Sequence, residues 1–276
     1  MRILVLGDIC GRWARIAAIR SLPELRRQFE AQMVIANGEN AAAGYGLTPA
    51  IVHELIQAGV DCITTGDHFL DRKEVAAVLA AEDRLLRPAN YPVEVPGRGC
   101  GIFSVSGVPV AVINLQGRVF MKPIDCPFRR AKELLKDLHT RASIILVDFH
   151  AEATAEKVAL GWFLDGQVSA VIGTHTHVAT ADERVLPSGT AYITDIGMCG
   201  GRDSVLGMER DRAIQRMMLG TPLRLAPERQ HLQLAGVTIE VGEDGRAKAI
   251  ERFIFPVVLP GAEDGESVLA GDGQKI

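Results

Sequence analysis

Short apolar segments that end in polar residues recur along the chain and limit the folds that it can adopt. Six segments share this pattern: RILVLGD (2–8), MVIANGEN (33–40), CITTGDH (62–68), SIILVDFH (143–150), AVIGTHTH (170–177) and AYITDIG (191–197). Short apolar runs rich in β-branched residues are typical of buried strands. Helical periodicity lies between most of them, roughly at 13–31, 48–59, 72–82, 128–140, 154–163 and 209–219. Strands that alternate with helices predict an α/β fold whose sheet is covered on both faces.

Two other segments predict antiparallel hairpins added to this α/β core. SGVPVAVINLQG (106–117) contains a Ser-Gly pair, and 231–255 contains an Asp-Gly pair, both of which are typical of tight turns. No interior stretch rich in Pro, Gly or Ser suggests a linker, so we expect one domain over 1–258. The acidic, glycine-rich tail, 259–276, is expected to be disordered.

Composition excludes several classes of function. The formal net charge is −4 and the isoelectric point about 6.0, so no basic field predicts binding of long nucleic acid. No segment approaches the apolar length of a membrane span, so no membrane partner is expected. The five cysteines are scattered and form no Cys-x-x-Cys pair, which favours a reducing, cytoplasmic location.

Candidate metal ligands follow five of the predicted strands. They are Asp8, then Glu39 and Asn40, then Asp67 and His68, then His150, and finally His175 and His177. In open α/β sheets, ligands bind at the carboxyl ends of the strands. Each residue alone has a simpler explanation, such as a helix cap for Asp8 or a buried, hydrogen-bonded imidazole for His150. Their occurrence at successive strand ends favours a shared site for zinc, manganese or iron.

The His-x-His pair adds a directional argument. Residues two apart point to the same face of a strand, so His175 and His177 are expected to point together. One shared metal site, or two adjacent sites, would explain such a pair.

The same segments resemble a known family. The motifs are GDICG (7–11), NGENAAAGYGLT (37–48), TGDHFLD (65–71), RPANYP (87–92), NLQGRVF (114–120), VDFHAEATAEKVALGW (147–162) and GTHTHVATAD (173–182). They are similar to the YmdB-like group of the calcineurin-like metallophosphoesterase superfamily, and the resemblance extends from Met1 to about Phe255. It implies an α/β/β/α sandwich, a dinuclear centre usually assigned to iron, and phosphodiesterase activity toward 2′,3′- and 3′,5′-cyclic nucleotides.

The resemblance also implies a role for each candidate. Asp8, Asn40 and His177 would bind the first metal, Asp67, His150 and His175 the second, Glu39 would bridge both, and His68 would be the general acid. Two metals about 3.5–4 Å apart can share a carboxylate and hold a bridging hydroxide that attacks phosphorus. His68 would then protonate the departing ribose oxygen.

The sequence departs from the superfamily pattern at two positions. Asp8-Ile9-Cys10 stands where the superfamily has Asp-x-His; the YmdB-like group also lacks that histidine, and the resemblance implies that Asn40 takes its place. Cys10 is interpreted as a small apolar residue, with a metal contact as the alternative. Gly66-Asp67-His68 stands where the superfamily has Gly-Asn-His. Asp67 therefore adds a third formal negative charge to those of Asp8 and Glu39.

Other polar residues have two possible roles each. Asn90 and Arg118 are candidates to contact phosphate or base, with ordinary surface hydrogen bonding as the alternative. Asp148 and Asp195 are candidates to orient the imidazoles, with cap or turn roles as the alternative. The alternative functions are those of a nucleotidase, an RNA phosphodiesterase, or a metal-bound regulatory or scaffold protein with incidental activity. The chain is also a candidate to form a homo-oligomer.

Overall fold

The structure, a computed structural model, describes residues 1–259. The predicted tail lies outside the described residues apart from Leu259. The strands are β1 (Arg2–Leu6), β2 (Asp8–Ile9), β3 (Met33–Asn37), β4 (Cys62–Thr64), β5 (Cys100–Val105), β6 (Val108–Gln116), β7 (Ile144–His150), β8 (Ala170–Thr174), β9 (Arg184–Val185), β10 (Ala191–Ile193), β11 (Met198–Gly201), β12 (Leu232–Val241) and β13 (Ala247–Val257). The helices are α1 (Gly11–Gln28), α2 (Pro49–Gln57), α3 (Val75–Ala81), α4 (Pro127–Leu138), α5 (Thr154–Leu164) and α6 (Arg210–Leu219).

Each predicted helix is confirmed, with its ends shifted by at most three residues. The start of α2 shows the local reason. The Thr48 hydroxyl accepts a hydrogen bond from the Ile51 amide, and Pro49 occupies the first turn, where its missing N–H is no loss.

The strands divide between two mixed sheets. One has the order β2-β11-β12-β1-β3-β4, with β13 paired to β12, and the other has the order β5-β6-β7-β8-β10-β9. Strands β1, β3 and β4 are mutually parallel, as are β6, β7, β8 and β10. The fold is therefore a mixed α/β fold with two sheets, whereas the pattern of apolar segments alone predicted a single covered sheet.

Both predicted hairpins are present, each in a different sheet, but the first starts before the predicted range of 106–117, because its first strand is β5. Strands β5 and β6 pair around Ser106 and Gly107, whose φ angles of 51° and 82° are both left-handed, as a type I′ turn requires. Strands β12 and β13 pair along their length and join the first sheet beside β1.

Side chains that alternate along a strand contact different apolar clusters. On β1, Ile3 and Val5 belong to a buried cluster that also contains Val112 and Leu146 of the second sheet. Leu4 and Leu6 of the same strand belong to a cluster with residues of α1 and α2. On the second sheet, alternate residues of β6 and β7 lie in a third cluster with Leu135 of α4 and Leu160 of α5. Burial on both faces explains why these strands read as continuous apolar runs.

The carboxyl ends of both sheets meet at one edge of the molecule. Nδ2 of Asn37, the last residue of β3, lies 3.5 Å from Oδ2 of Asp148 on β7. The residues that follow β1, β3, β4, β7 and β8 therefore gather around one region. Within residues 1–259, no helix is both long and apolar enough to cross a membrane.

Candidate metal centre

Four side chains from the two sheets converge beside these strand ends. Glu39, Asp67, His150 and His175 each place a possible ligand atom within 4.8 Å of those of the others. His150 Nε2 lies 3.0 Å from Glu39 Oε1 and 3.0 Å from His175 Nδ1. Asp67 Oδ1 lies 3.4 Å from His150 Nε2 and 3.5 Å from His175 Nδ1. Two carboxylates and two imidazoles form a ligand set that zinc, manganese and iron share.

Buried oxygen atoms without partners test whether a metal fits this site. Asp8 Oδ1, Asn40 Oδ1 and Asp67 Oδ1 are buried and accept no hydrogen bond within residues 1–259. The other polar atoms of two of these side chains are held in place, because Asp8 Oδ2 accepts from the His175 amide and Asn40 Nδ2 donates to the Gly44 carbonyl. A buried acceptor without a partner costs about 1–3 kcal/mol. A bound cation would satisfy these oxygens, so the residues present fit a metal.

Gly66 shows how closely the cluster is packed. A Cβ atom at this position would lie 2.1 Å from Cδ2 of the His150 ring and 2.3 Å from Glu39 Oε2. Both distances are well inside van der Waals contact, so a side chain at position 66 would displace the cluster. This glycine is required by the close approach of the backbone to two candidate ligands.

The charges of the cluster shift the pKa values of its members. Burial alone would lower the pKa of His150, but the negative charges of Glu39 and Asp67 raise it well above its usual value. Burial alone would likewise raise the pKa of Asp67, and the contact with His150 lowers it. Burial raises the pKa of Asp8 to about 6, although nearby histidines partly offset the shift. Burial and the neighbouring His150 lower the pKa of His175 to about 4. The carboxylates thus stabilise a positive charge at the centre of the cluster.

The prediction that strand alternation orients the His-x-His pair is wrong. Strand β8 ends at Thr174, so both histidines lie in the turn beyond it. His175 has φ 103° and His177 has φ 64°, in the left-handed region that non-glycine residues rarely adopt. His177 Nδ1 lies 3.0 Å from the Leu206 carbonyl, and His177 stands outside the four-residue cluster described above. Turn geometry, with backbone strain, sets the direction of each imidazole.

A buried ion pair holds the turn between the two histidines. Asp195 Oδ2 accepts hydrogen bonds from the Thr176 amide at 3.1 Å and from the Thr176 hydroxyl at 2.9 Å. The same oxygen accepts from Lys157 Nζ at 2.6 Å, and both charged side chains are only 1% exposed. Asp195 Oδ1 accepts from the Gly197 amide at 2.8 Å. We name Lys157, Asp195 and Thr176 the turn clamp.

His150 is oriented by a second set of polar contacts. Its Nδ1 lies 3.0 Å from the Thr174 hydroxyl, which donates to Asp148 Oδ1 at 2.8 Å. Asn37 Nδ2 approaches the same Nδ1 at 3.5 Å. These contacts leave Nε2 of His150 directed at Glu39, as expected of an imidazole whose other nitrogen is fixed by neighbours.

His68 lies at the border of the cluster and faces a cavity. Its Nδ1 lies 2.8 Å from Asp71 Oδ2, and its Nε2 lies 3.9 Å from Asp67 Oδ2. The ring of Tyr45 meets the imidazole edge-on at 5.1 Å between centroids. Asp71 therefore fixes one nitrogen of His68 and leaves the other directed toward the cluster.

Two weaker candidates lie in different environments. Asn90 is fully buried, contrary to the expectation of a substrate contact: its Nδ2 donates to the carbonyls of Gln116 and Asp125, and its Oδ1 accepts from the Gln116 amide. These three bonds use both donors of the amide and join two loops, which leaves no free donor for a substrate. Arg118 has an exposed side chain and donates through its amide to Glu156, so its proposed contact stays a prediction.

Cys10 is buried with Met198 and Met208, and its thiol lies 4.0 Å from the Leu206 carbonyl. Burial raises its pKa to about 12, which suits the interpretation of a small apolar residue.

Several contributors were not predicted from the sequence. Lys157 is the clearest, because it shares one face of α5 with Leu160, Gly161 and Leu164 at helical spacing. That pattern was visible in the sequence and indicates a buried lysine that needs a partner. Asp71 follows His68 by three residues, but nothing in its spacing marks it as a partner. Glu152 Oε2 lies 3.0 Å from His175 Nε2, a contact that depends on the turn after β7.

Known proteins are similar to this chain in sequence and in structure. The 2′,3′-cyclic-nucleotide 2′-phosphodiesterase of Bacillus subtilis (strain 168) is 47% identical over 256 residues, covering 92% of this chain and 97% of that protein. A solved structure of a hypothetical protein from Thermus thermophilus superposes with a TM-score of 0.87 at 41% identity, over 93% of this chain and 99% of that one. A novel phosphatase from Mycoplasma pneumoniae also superposes with a TM-score of 0.87, at 33% identity over 96% and 97% of the two chains.

The two-sheet fold and the carboxylate–imidazole cluster, with these relatives, define a metal-dependent phosphoesterase, a hydrolase. The family model described as YmdB-like protein matches residues 4–253. The chain therefore belongs to the YmdB-like family, as its motifs predicted.

Proposed function

We propose that this chain hydrolyses 2′,3′-cyclic nucleotides at a dinuclear metal centre. The observation that carries the proposal is the convergence of Glu39, Asp67, His150 and His175, with the unpartnered oxygens of Asp8 and Asn40 beside them. The name of the Bacillus subtilis relative supports the substrate class. The proposed ligands are Asp8, Asn40 and His177 for one metal, Asp67, His150 and His175 for the other, and Glu39 for both.

The two carboxylate oxygens of Glu39, the proposed shared ligand, have different neighbours. Its Oε1 faces His150 at 3.0 Å, and its Oε2 accepts from the His68 amide at 3.3 Å. When bound, the metal ions would supply Lewis acidity for the phosphodiester and for the attacking water. The protein would hold the scissile phosphate between the two ligand sets.

His68 is proposed to protonate the departing ribose oxygen. Its Nδ1 is held by Asp71, so the proton would be delivered from Nε2, which lies 3.9 Å from Asp67 Oδ2 on the side of the cluster. The edge-on contact with Tyr45 limits rotation of the imidazole. A proton donor fixed in this way can act without a large reorganisation of the site.

Iron is our proposed metal, with manganese or zinc as alternatives, and 3′,5′-cyclic nucleotides are proposed as further substrates. The division of apolar clusters between helix and sheet layers supports a four-layer α/β/β/α sandwich. A single domain over 1–258 and a cytoplasmic location are retained as proposals, the second supported by five free cysteines.

The test combines metal analysis with a substrate panel. Purified protein, reconstituted with iron, manganese or zinc, is incubated with 2′,3′-cyclic AMP, 3′,5′-cyclic AMP, 5′-AMP and a short RNA, and the products are separated by chromatography. We expect two metals per chain and release of 3′-AMP from 2′,3′-cyclic AMP. Glu39→Gln should lose metal and activity together, whereas Glu24→Gln, at an exposed position on α1, should retain both.

Three results would contradict the proposal. Faster hydrolysis of 5′-AMP would favour a nucleotidase, and faster cleavage of RNA would favour an RNA phosphodiesterase. A rate on every substrate no higher than that of the free metal would favour a metal-bound regulatory protein.

A further inference from the structure

A cavity of about 710 Å³ opens beside the candidate metal centre. Its inner part is lined by Glu39, Asn40, His68, His175 and His177. Its outer part is lined by Tyr45 in the segment before α2, by the segment after β11, by α6 and by the segment that follows α6. The volume falls within the range of about 300–1,000 Å³ that is typical of small-molecule sites.

The outer part of the cavity is mainly apolar. Tyr45, Leu206 and Met217 line it and are substantially exposed, with Met217 77% exposed and Tyr45 40% exposed. Exposed apolar side chains that meet around a cavity mark a place where a ligand is bound. An aromatic ring and a thioether are groups that contact flat π-systems well.

Arg216 is the charged residue among the outer lining residues. Within residues 1–259, no carboxylate oxygen lies within 4 Å of the guanidinium of Arg216. A guanidinium without an ionic partner can stack on an aromatic plane or donate to its edge. The outer wall thus combines apolar contact area with one group that can add hydrogen bonds.

We propose that this outer wall binds the nucleobase of the substrate. The inference rests on the proposed function, because the phosphate must lie at the metal cluster for the base to reach the wall. With the phosphate at the inner end, the remainder of a nucleotide extends toward Tyr45, Met217 and Arg216. The base is the apolar, planar part of that remainder, and the ribose is the polar part. A lone arginine and a net charge of −4 do not favour a long polynucleotide as the occupant.

Binding measurements test the inference without relying on turnover. Calorimetry on the full chain loaded with manganese compares 3′-AMP with glycerol 2-phosphate, a phosphate monoester without a base. Because the stacking of a base on an aromatic ring adds binding free energy, we expect 3′-AMP to bind roughly 5- to 100-fold more tightly than glycerol 2-phosphate. Tyr45→Ala should remove most of this difference, and Tyr45→Phe should restore it to within about twofold.

Two methionines on α6 provide a matched comparison. Met217 lines the cavity and Met218 does not, although Met218 is similarly exposed at 80%. Met217→Ala should weaken 3′-AMP binding roughly two- to tenfold, and Met218→Ala should leave it unchanged. Arg216→Met should weaken it roughly two- to fivefold.

Equal affinities of the wild-type protein for 3′-AMP and glycerol 2-phosphate would overturn the inference. So would equal effects of the Met217 and Met218 substitutions. Failure of the proposed function has a different signature, namely no hydrolysis of 2′,3′-cyclic AMP by metal-loaded wild-type protein, whatever the binding results.

Discussion

Replacement of Lys157 by methionine tests whether the turn clamp supports the site. The substitution keeps most of the apolar stem but removes the ammonium group, which donates to Asp195 at 2.6 Å. Loss of one partner from a buried ion pair costs about 3–5 kcal/mol, because the other charge remains buried. Asp195 would keep three donors, from Thr176 and Gly197, so we expect the lower end, about 3 kcal/mol. For a protein of this size, that loss lowers the melting temperature by roughly 6–12 °C.

The assay is urea and thermal unfolding of the metal-free protein, since bound metal would add its own stabilisation. Lys132→Met, an exposed lysine on α4, is the control and should change the free energy of unfolding by less than about 0.5 kcal/mol. The double variant Lys157→Met with Asp195→Asn should be less destabilised than the sum of the single variants, because no buried charge is left alone. A Lys157→Met protein as stable as the Lys132→Met control would show that the buried ion pair does not stabilise the fold.

Three further predictions concern the metal cluster. His68→Ala should lower turnover about 10²–10⁴-fold at unchanged metal content, with His53→Ala as the control, and a loss of metal would refute its role as proton donor. Asp67→Asn removes one negative charge, so it should release metal faster to a chelator and shift the pH–rate profile to lower pH; identical behaviour to wild type would show that the charge has no effect. Burial alone would lower the pKa of His150, but Glu39 and the other carboxylates raise it. In metal-free protein the stability from protonated His150 is therefore complete below its unfolded pKa of about 6.5 and is lost as pH rises through its higher folded pKa. Metal binding should release this proton, which calorimetry in buffers of different ionisation enthalpy would count; zero release would contradict the assignment.

The elements of the fold could be predicted from the sequence because each has a local signal. The helices follow apolar periodicity, and the hairpins follow turn residues such as Ser106-Gly107. The division into two sheets has no such signal. Strands β4 and β6 both read as buried and belong to different sheets, because the assignment depends on which partner each strand finds in three dimensions. Only the family resemblance pointed to a sandwich.

The candidate site was predicted in composition but not in geometry. Glu39, Asp67, His150 and His175 could be grouped from the sequence, since parallel strands end at one edge. Strand alternation could not orient His175 and His177, because the strand stops one residue before the first of them. Their directions depend on Asp195, a contact separated from Thr176 by 19 residues in sequence. Long-range contacts of this kind leave no periodic pattern for a local rule to detect.

Several features of the site are unfavourable in the metal-free protein, and a bound metal ion would offset all of them but one. Buried Asp8 is destabilised as a charged group, Asn40 and Asp67 leave oxygens without partners, and His175 holds a left-handed backbone. Each feature costs free energy in the metal-free fold. A metal ion bound only by the folded chain would offset the first three directly, because it replaces missing partners with strong ones. The backbone strain is different, since a metal can hold an imidazole only after the turn has placed it. That task falls to the turn clamp, in which the buried pair of Lys157 and Asp195 holds Thr176 between the two histidines.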